Sequence, residues 1–272
     1  MVCPRCGTDV RGNERNCTSC GNDIGYPNVR AAKELQEKAA LADRYKKALE
    51  NASKRGCGDV VVAFMEELKS SVAVICRSVS KVKELVSSGN ELYASFYQLV
   101  GAGARRLEGT KMDWERRIAD SIIFPYYEQE VRFASLSLDG LGATAYGGCS
   151  MVLKDVAISE RATAFEENSV FFCKRLNLGV ANPLPPGYRA TWEDRGMLAT
   201  AKLEPRLTSS TTAAGFPAIL VGSTGQDFVE VHIFGTLDRG SIERILARKP
   251  TTEPDRILLE EVGRYSKVEI LP

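Results

Sequence analysis

The 272-residue chain has one histidine, His232, and two tryptophans. A single imidazole excludes a metal centre built on several histidines, and any Ser/His or Cys/His nucleophile pair has to use that residue. Charge of one sign is also missing. With 36 basic side chains against 35 acidic ones, no global basic field demands nucleic acid as a partner. Long apolar runs are absent too. The richest stretch, 60–86, is interrupted by Glu66, Glu67, Lys69, Arg77, Lys81, Lys83 and Glu84, which excludes a membrane-spanning helix there. No apolar leader core follows Met1, so the expected location is the cytoplasm.

Cysteine, by contrast, is concentrated at the start of the chain. Cys3-Pro4-Arg5-Cys6-Gly7 and Cys17-Thr18-Ser19-Cys20-Gly21 are two Cys-x-x-Cys knuckles, each followed by glycine and separated by ten residues. The glycines let each turn tighten so that backbone N–H groups point at sulfur. Four thiolates around one Zn²⁺ fill a tetrahedron and leave no position for water or substrate, so this zinc is structural. The metal ligands are therefore Cys3, Cys6, Cys17 and Cys20. Cys57, Cys76, Cys149 and Cys173 are scattered and read as reduced thiols, in keeping with a reducing compartment. The ribbon reads first as a metal staple or protein-docking module. Tyr26 is its sole aromatic for base stacking, which gives nucleic acid only thin support.

The length predicts about two domains. A helix is expected from about Val29 to Arg55, with Ala32, Leu35, Ala39, Ala42, Leu49 and Ala52 along one stripe. After Gly56-Cys57-Gly58, residues Val61, Met65, Leu68, Val72, Ile75, Val79, Val82 and Val86 alternate steps of four and three. That seam predicts a second long helix and an antiparallel helical hairpin, which could also serve self-association or partner capture. Helices are further expected at Glu91–Val100 and at about Lys111–Phe124, closed by Pro125. Beyond it the pattern turns to strands at Glu130–Leu138, Ser150–Leu153, Phe216–Val221, Phe228–Phe234 and Lys267–Leu271, with helices at Ser241–Arg248 and Asp255–Tyr265. The expected fold class is α+β: a zinc ribbon at 1–27, a helical stalk or bundle at 28–125 and a mixed α+β domain at 126–272.

Period-two alternation in Asp227–Gly235 puts Phe228, Glu230, His232 and Phe234 on one face, opposite Val229, Val231 and Ile233. The Glu/His face is then the less buried one or lines a cleft. A carboxylate and an imidazole two residues apart on a rigid strand suit acid/base work or stabilisation of a developing cation.

Three segments carry a resemblance: Ala145–Leu153 with its Tyr146-Gly147-Gly148, Arg161–Phe165 followed by Glu167-Asn168-Ser169, and Val229–Gly235 with Leu237. Over roughly residues 130–250 the chain resembles bacterial toxin-type ADP-ribosyltransferase domains. The resemblance implies a split antiparallel sheet whose cleft holds NAD. It implies Glu230 as the late-strand catalytic glutamate with His232 positioned beside it. Arg132 becomes the cofactor-contacting arginine, with Arg161 as alternative. Ser209, Ser210 and Thr211 become the supporting Ser/Thr segment, for which Ser169 competes, and Tyr146 another cofactor contact. Phe228 stands where that family usually has Gln or Glu. The implied activity is transfer of ADP-ribose from NAD to an acceptor. The alternative is a non-enzymatic adaptor that binds a protein or nucleic acid through ribbon and stalk, and an oligomer built on the heptad seam is a third reading.

Overall fold

The computed structural model describes residues 1–89, 92–94, 96–101, 111–222 and 226–272. After the ribbon come α1 (Pro27–Ala32), α2 (Leu35–Lys54), α3 (Gly58–Glu67), β1 (Val72–Arg77), α4 (Val79–Ser87), α5 (Phe96–Gly101) and α6 (Lys111–Ile123). Then follow β2 (Val131–Ser137), β3 (Cys149–Leu153), α7 (Asp155–Ile158), β4 (Ala162–Phe165), α8 (Ser169–Arg175), β5 (Arg189–Thr191), α9 (Arg195–Leu203) and α10 (Phe216–Leu220). The described chain closes with β6 (Glu230–Phe234), β7 (Ile242–Arg248), α11 (Glu253–Gly263) and β8 (Val268–Leu271). Helices and strands are mixed, as the α+β class requires.

The eight strands form one sheet in the order β5-β4-β6-β2-β1-β3-β7-β8. Neighbours are antiparallel except β7 and β8, which run parallel. The antiparallel hairpin of two long helices expected over about 29–86 is not formed. The heptad seam is helical in α3, up to Glu67, and again in α4 from Val79, but between them Val72–Arg77 is a strand near the middle of the sheet, paired with β2 and β3. The reason lies in Val72-Ala73-Val74-Ile75-Cys76, an unbroken apolar run bounded by Lys69-Ser70-Ser71 and Arg77-Ser78. Periodicity alone cannot tell such a run from a buried helix, and β-branched residues covered on both faces favour the strand.

Three further expectations are corrected. The helix over 29–55 is two helices, interrupted at Lys33 and Glu34, where Glu34 takes an extended ψ of 138°. Phe216–Val221 contains the short helix α10, with Pro217 in the first turn where its missing N–H costs nothing. Ser241–Arg248 is the strand β7 rather than a helix, because Ile245, Leu246 and Ala247 are buried together between β3 and β8. Within 91–100, Glu91 and Ser95 lie outside the described residues. The strands at β2, β3, β6 and β8 and the helices α6 and α11 stand where the pattern put them, within a few residues.

Strand register separates the two faces of the sheet. One carries Ala73, Ile75, Ala134, Leu136, Ala162, Ala164, Val231 and Ile233, which pack with Phe64, Leu68, Val82, Leu198, Leu203 and Phe216 in the main core. The opposite face carries Phe133, Phe165, Glu230 and His232. There Phe133 and Phe165 pack with Phe124 from the end of α6 and with Val170 and Phe172 from α8. The face expected to be less buried is thus covered, and Glu230 and His232 are each only 2% exposed.

Pairing between β1 and β2 covers Val72–Val74 against Ser135–Ser137. Past that point Ile75–Arg77 pair with β3 and Val131–Ala134 with β6. The two strand ends line a common cavity of about 570 Å³. The Gly-rich loop after β2 packs on the same strands. Gly147, with φ of +153°, passes so close to β1 that a Cβ would lie 2.1 Å from the Arg77 carbonyl carbon. That approach sets Tyr146 at the cavity wall.

Candidate functional site

Two sites emerge, a cysteine cluster and the cavity at the β1/β2 opening. In the ribbon each knuckle is a small turn closed by a bridge, Val2 with Asp9 and Asn16 with Asp23. The repeat is close: Gly7 N–H donates to the Cys3 carbonyl at 3.0 Å and Gly21 N–H to the Cys17 carbonyl at 2.8 Å. Both glycines are left-handed, at φ +72° and +71°, as a tight knuckle turn demands. Cys3 and Cys20 Sγ are 3.7 Å apart, Cys6 and Cys17 Sγ 3.6 Å, and all four lie within 4.8 Å of one another. A tetrahedron with Zn–S bonds of about 2.3 Å has edges of about 3.8 Å, so the donor set fits zinc in number, chemistry and size.

The ribbon is tied to the body. Arg30 of α1 donates to the carbonyls of Gly12 at 2.6 Å, Glu14 at 2.8 Å and Gly25. The Tyr26 ring packs at a tilt against Phe234, 5.6 Å between centroids, and lies beneath the Arg15 guanidinium. Two residues further on, buried Asn28 donates to the Arg161 carbonyl at 2.9 Å and the His232 carbonyl at 3.1 Å. The ribbon and β6 are thus joined through one short helix.

In the cavity the central group is Glu230. Its Oε2 lies 3.0 Å from His232 Nε2 and accepts the Ser169 N–H at 2.9 Å. Burial pushes this carboxyl up, but His232, Arg116 and the Ser169 N–H outweigh it and hold Glu230 below its ordinary value. His232 is enclosed by Phe124, Phe133 and Phe165, with ring centroids at 4.7, 5.5 and 5.1 Å. Burial draws its pKa down against the pull of Glu230, so the imidazole is neutral and donates from Nε2 to an anionic carboxylate. Glu230 reaches the cavity wall, whereas His232 stands behind it.

Arg116 also lines the cavity. It lies over the Phe133 ring at 4.7 Å, donates to Ser169 Oγ at 3.2 Å and sits 3.5 Å from Asp120 Oδ1. Burial would lower its pKa, but Asp120 and Glu230 together raise it. Asp120 is fully buried and accepts from Tyr97 Oη at 3.0 Å; burial, opposed by Arg116, pushes its carboxyl up to about 7. Asn168 caps α8 by accepting the Val170 N–H at 3.0 Å and donates to Tyr146 Oη at 3.3 Å.

Of the residues predicted from sequence, Glu230, Arg132 and Tyr146 line this one cavity. Arg132, however, sits on the other face of the sheet, 1% exposed, with its guanidinium committed elsewhere. It donates to the carbonyls of Tyr93 and Gln129, each at 3.0 Å, and of Val131 at 3.4 Å, and to Gln98 Oε1 at 2.9 Å. Arg161 is similarly held by the carbonyls of Ala157, Phe234 and Thr236. Ser209 and Ser210 are exposed and, with Thr211, belong to a turn held by Thr208 outside the cavity lining. Ser169 is the hydroxyl residue that does meet Glu230. Sequence reasoning missed Arg116 and Asp120. Their spacing of four on a helix next to Trp114 and Ile118 was visible, but an i,i+4 ion pair reads as ordinary helix surface.

No protein-family model matches the chain, and no curated protein matches its sequence. Among the described residues no helix is long and apolar enough to cross a membrane.

Proposed function

We propose that the cavity at the β1/β2 opening is the substrate site of an ADP-ribosyltransferase-like protein, and that the ribbon is its zinc staple. One observation carries this reading: an anionic carboxylate, Glu230, is held by His232 and a backbone N–H at the wall of a cavity large enough for a nucleotide-sized ligand. A fixed anion in a water-poor site favours charge that develops at a ribose carbon as its bond to nicotinamide breaks. In that step nicotinamide leaves with the bonding pair, the acceptor nucleophile forms the new bond to the ribose carbon, and the acceptor gives up its proton. Glu230 supplies the electrostatic stabilisation and His232 holds its orientation. Arg116 rather than Arg132 takes the role of the accessible arginine, because the Arg132 guanidinium already serves four acceptors. Ser169 takes the supporting role suggested for Ser209, Ser210 and Thr211.

The test is nicotinamide release from NAD by the zinc-loaded chain and by Glu230→Gln. The glutamine keeps an acceptor oxygen for the Ser169 N–H, so the fold is retained while release falls by about a hundredfold or more. Equal release in the two proteins, or none in the wild type, overturns the reading. The adaptor alternative has its own support in the ribbon's anchorage through Arg30, which would hold a docking module in fixed orientation. It predicts a zinc-dependent protein interaction and no response to NAD.

A further inference from the structure

The two edges of the sheet are finished differently. At the β5 edge the strand is only three residues long and helix α2 closes on it. Glu37 accepts the Gly187 N–H at 2.6 Å and pairs with Arg189 Nε at 3.0 Å, and Arg44 donates to the Gly187 carbonyl at 2.5 Å. At the β8 edge no strand lies beyond among the described residues. An open edge is a template for one more strand.

The hydrogen bonds of β8 show which of its backbone groups are unused. Ile245 N–H donates to the Lys267 carbonyl at 2.8 Å, and Lys249 N–H to the Leu271 carbonyl at 3.2 Å. Alternate residues of a strand turn their backbone groups to opposite sides. Lys267, Glu269 and Leu271 therefore serve β7, while Val268 and Ile270 turn theirs to the open edge. The side chains alternate between the faces. Val268 is half-buried against the main core, and Ile270 on the same face is exposed. Lys267 and Glu269 share the other face, 2.8 Å apart, with Arg244 of β7 4.0 Å from Glu269.

A lysine on an edge ordinarily discourages pairing. Here a glutamate two residues on makes the edge complementary to its own reversed copy. With a twofold axis at Val268, Lys267 of each copy stands opposite Glu269 of the other. The two Val268 residues then exchange both of their hydrogen bonds, and each Ile270 N–H meets the Ser266 carbonyl of the other copy. The Ser266 N–H is not needed, since it already donates to the Val262 carbonyl at 3.1 Å. Neighbouring registers are worse. An axis at Glu269 sets the two glutamates against each other, and an axis at Ile270 sets Val268 opposite Pro272, which has no N–H.

We propose that the β8 edge is a self-association surface, on which a second copy of this chain adds its own β8 antiparallel about Val268 and continues the sheet. The charge pattern chooses this occupant, because Lys-x-Glu is answered on both sides of the axis only by the same segment reversed. No residue of β8 lines the cavity, so the surface stands or falls apart from any turnover of NAD.

The test is sedimentation equilibrium of the zinc-loaded full chain over a concentration series, with thermal unfolding to show that each variant is folded. The wild type forms a dimer. Glu269→Lys weakens association by about tenfold, because two attractive cross-strand pairs become repulsive. Lys267→Glu, at an exposed position, acts alike, and the exchange Lys267→Glu with Glu269→Lys regains most of the loss. Ile270→Pro removes an N–H that β7 does not use, so the fold is kept while association falls by about tenfold or more. A chain that stays monomeric at every concentration overturns the proposal. So does a dimer that tolerates either Glu269→Lys or Ile270→Pro, which would place the contact on another surface. Failure of the charge exchange to restore association overturns the register about Val268.

Discussion

Glu230 and His232, two residues apart on β6, meet at 3.0 Å inside the protein, with the imidazole walled in by three phenylalanines and only the carboxylate reaching the cavity. The pair is an anion with a neutral donor behind it. Replacing His232 by Phe keeps the ring among its aromatic neighbours but removes that donor. We expect His232→Phe to lose about 2–3 kcal/mol, the worth of a hydrogen bond to a charged group. The double variant with Glu230→Gln should lose less than the sum of the single losses. Urea unfolding measures both; strict additivity would show that the two side chains do not interact.

The buried titrating groups give stability a definite pH dependence. His232 has a folded pKa below 6.5, so its contribution is present above 6.5 and lost as pH falls through the folded value. Glu230 acts in the same direction below 4.5. Asp120 acts oppositely: raised from 3.8 to about 7, it contributes below 3.8 and that contribution is lost as pH rises through about 7. Asp120→Asn cannot ionise. Its stability relative to wild type should therefore improve between pH 5 and pH 8. Thermal unfolding at the two pH values gives the answer, and a relative stability that is flat or falls across the interval contradicts the burial of an ionising Asp120.

Zinc should be held at one ion per chain and should matter to the body as well as to the ribbon. Arg30 and Asn28 link the two, the first to ribbon carbonyls and the second to the His232 carbonyl. Chelation, or Cys17→Ser, should lower Tm by about 4 °C or more, corresponding to a loss of at least 1 kcal/mol at this size. Arg30→Ala should lower Tm while the chain keeps its zinc. A metal-free wild type with unchanged Tm would remove the staple from the account.

Arg132 should prove to be a scaffold residue. Its fork holds the Tyr93 carbonyl and Gln98 against β2, and Lys cannot reproduce that geometry. Arg132→Met and Arg132→Lys should both destabilise the fold, Met by about 3 kcal/mol or more because several buried acceptors lose their donor. Denaturant unfolding checks this. An Arg132→Lys protein of wild-type stability that no longer binds nucleotide would restore Arg132 to the ligand.

Much of this could be read from the chain before its structure, and the failures have physical reasons. The two Cys-x-x-Cys-Gly knuckles carry their geometry locally, so the gathering of four thiols that could hold a metal was legible outright. The alternation from Phe228 to Phe234 fixed which side chains share a face, since a strand's period is a local property. It did not reveal that both faces are covered, because burial depends on α6 and α8, which are distant in sequence. The Val61–Val86 seam misled for a related reason: Val72–Cys76 suits a helix or a buried strand equally, and only pairing with β2 and β3 decides. Arg132 and Arg116 show the same limit at the site. Nothing in their own neighbourhoods tells which guanidinium is consumed by backbone carbonyls and which faces the cavity.

The most direct measurement of the central claim is a crystal structure of the zinc-loaded Glu230→Gln chain soaked with NAD. Density should fill the cavity at the β1/β2 opening, with the nicotinamide ribose within hydrogen-bonding distance of residue 230. An empty cavity at saturating NAD, or nucleotide bound at another surface, would contradict the account.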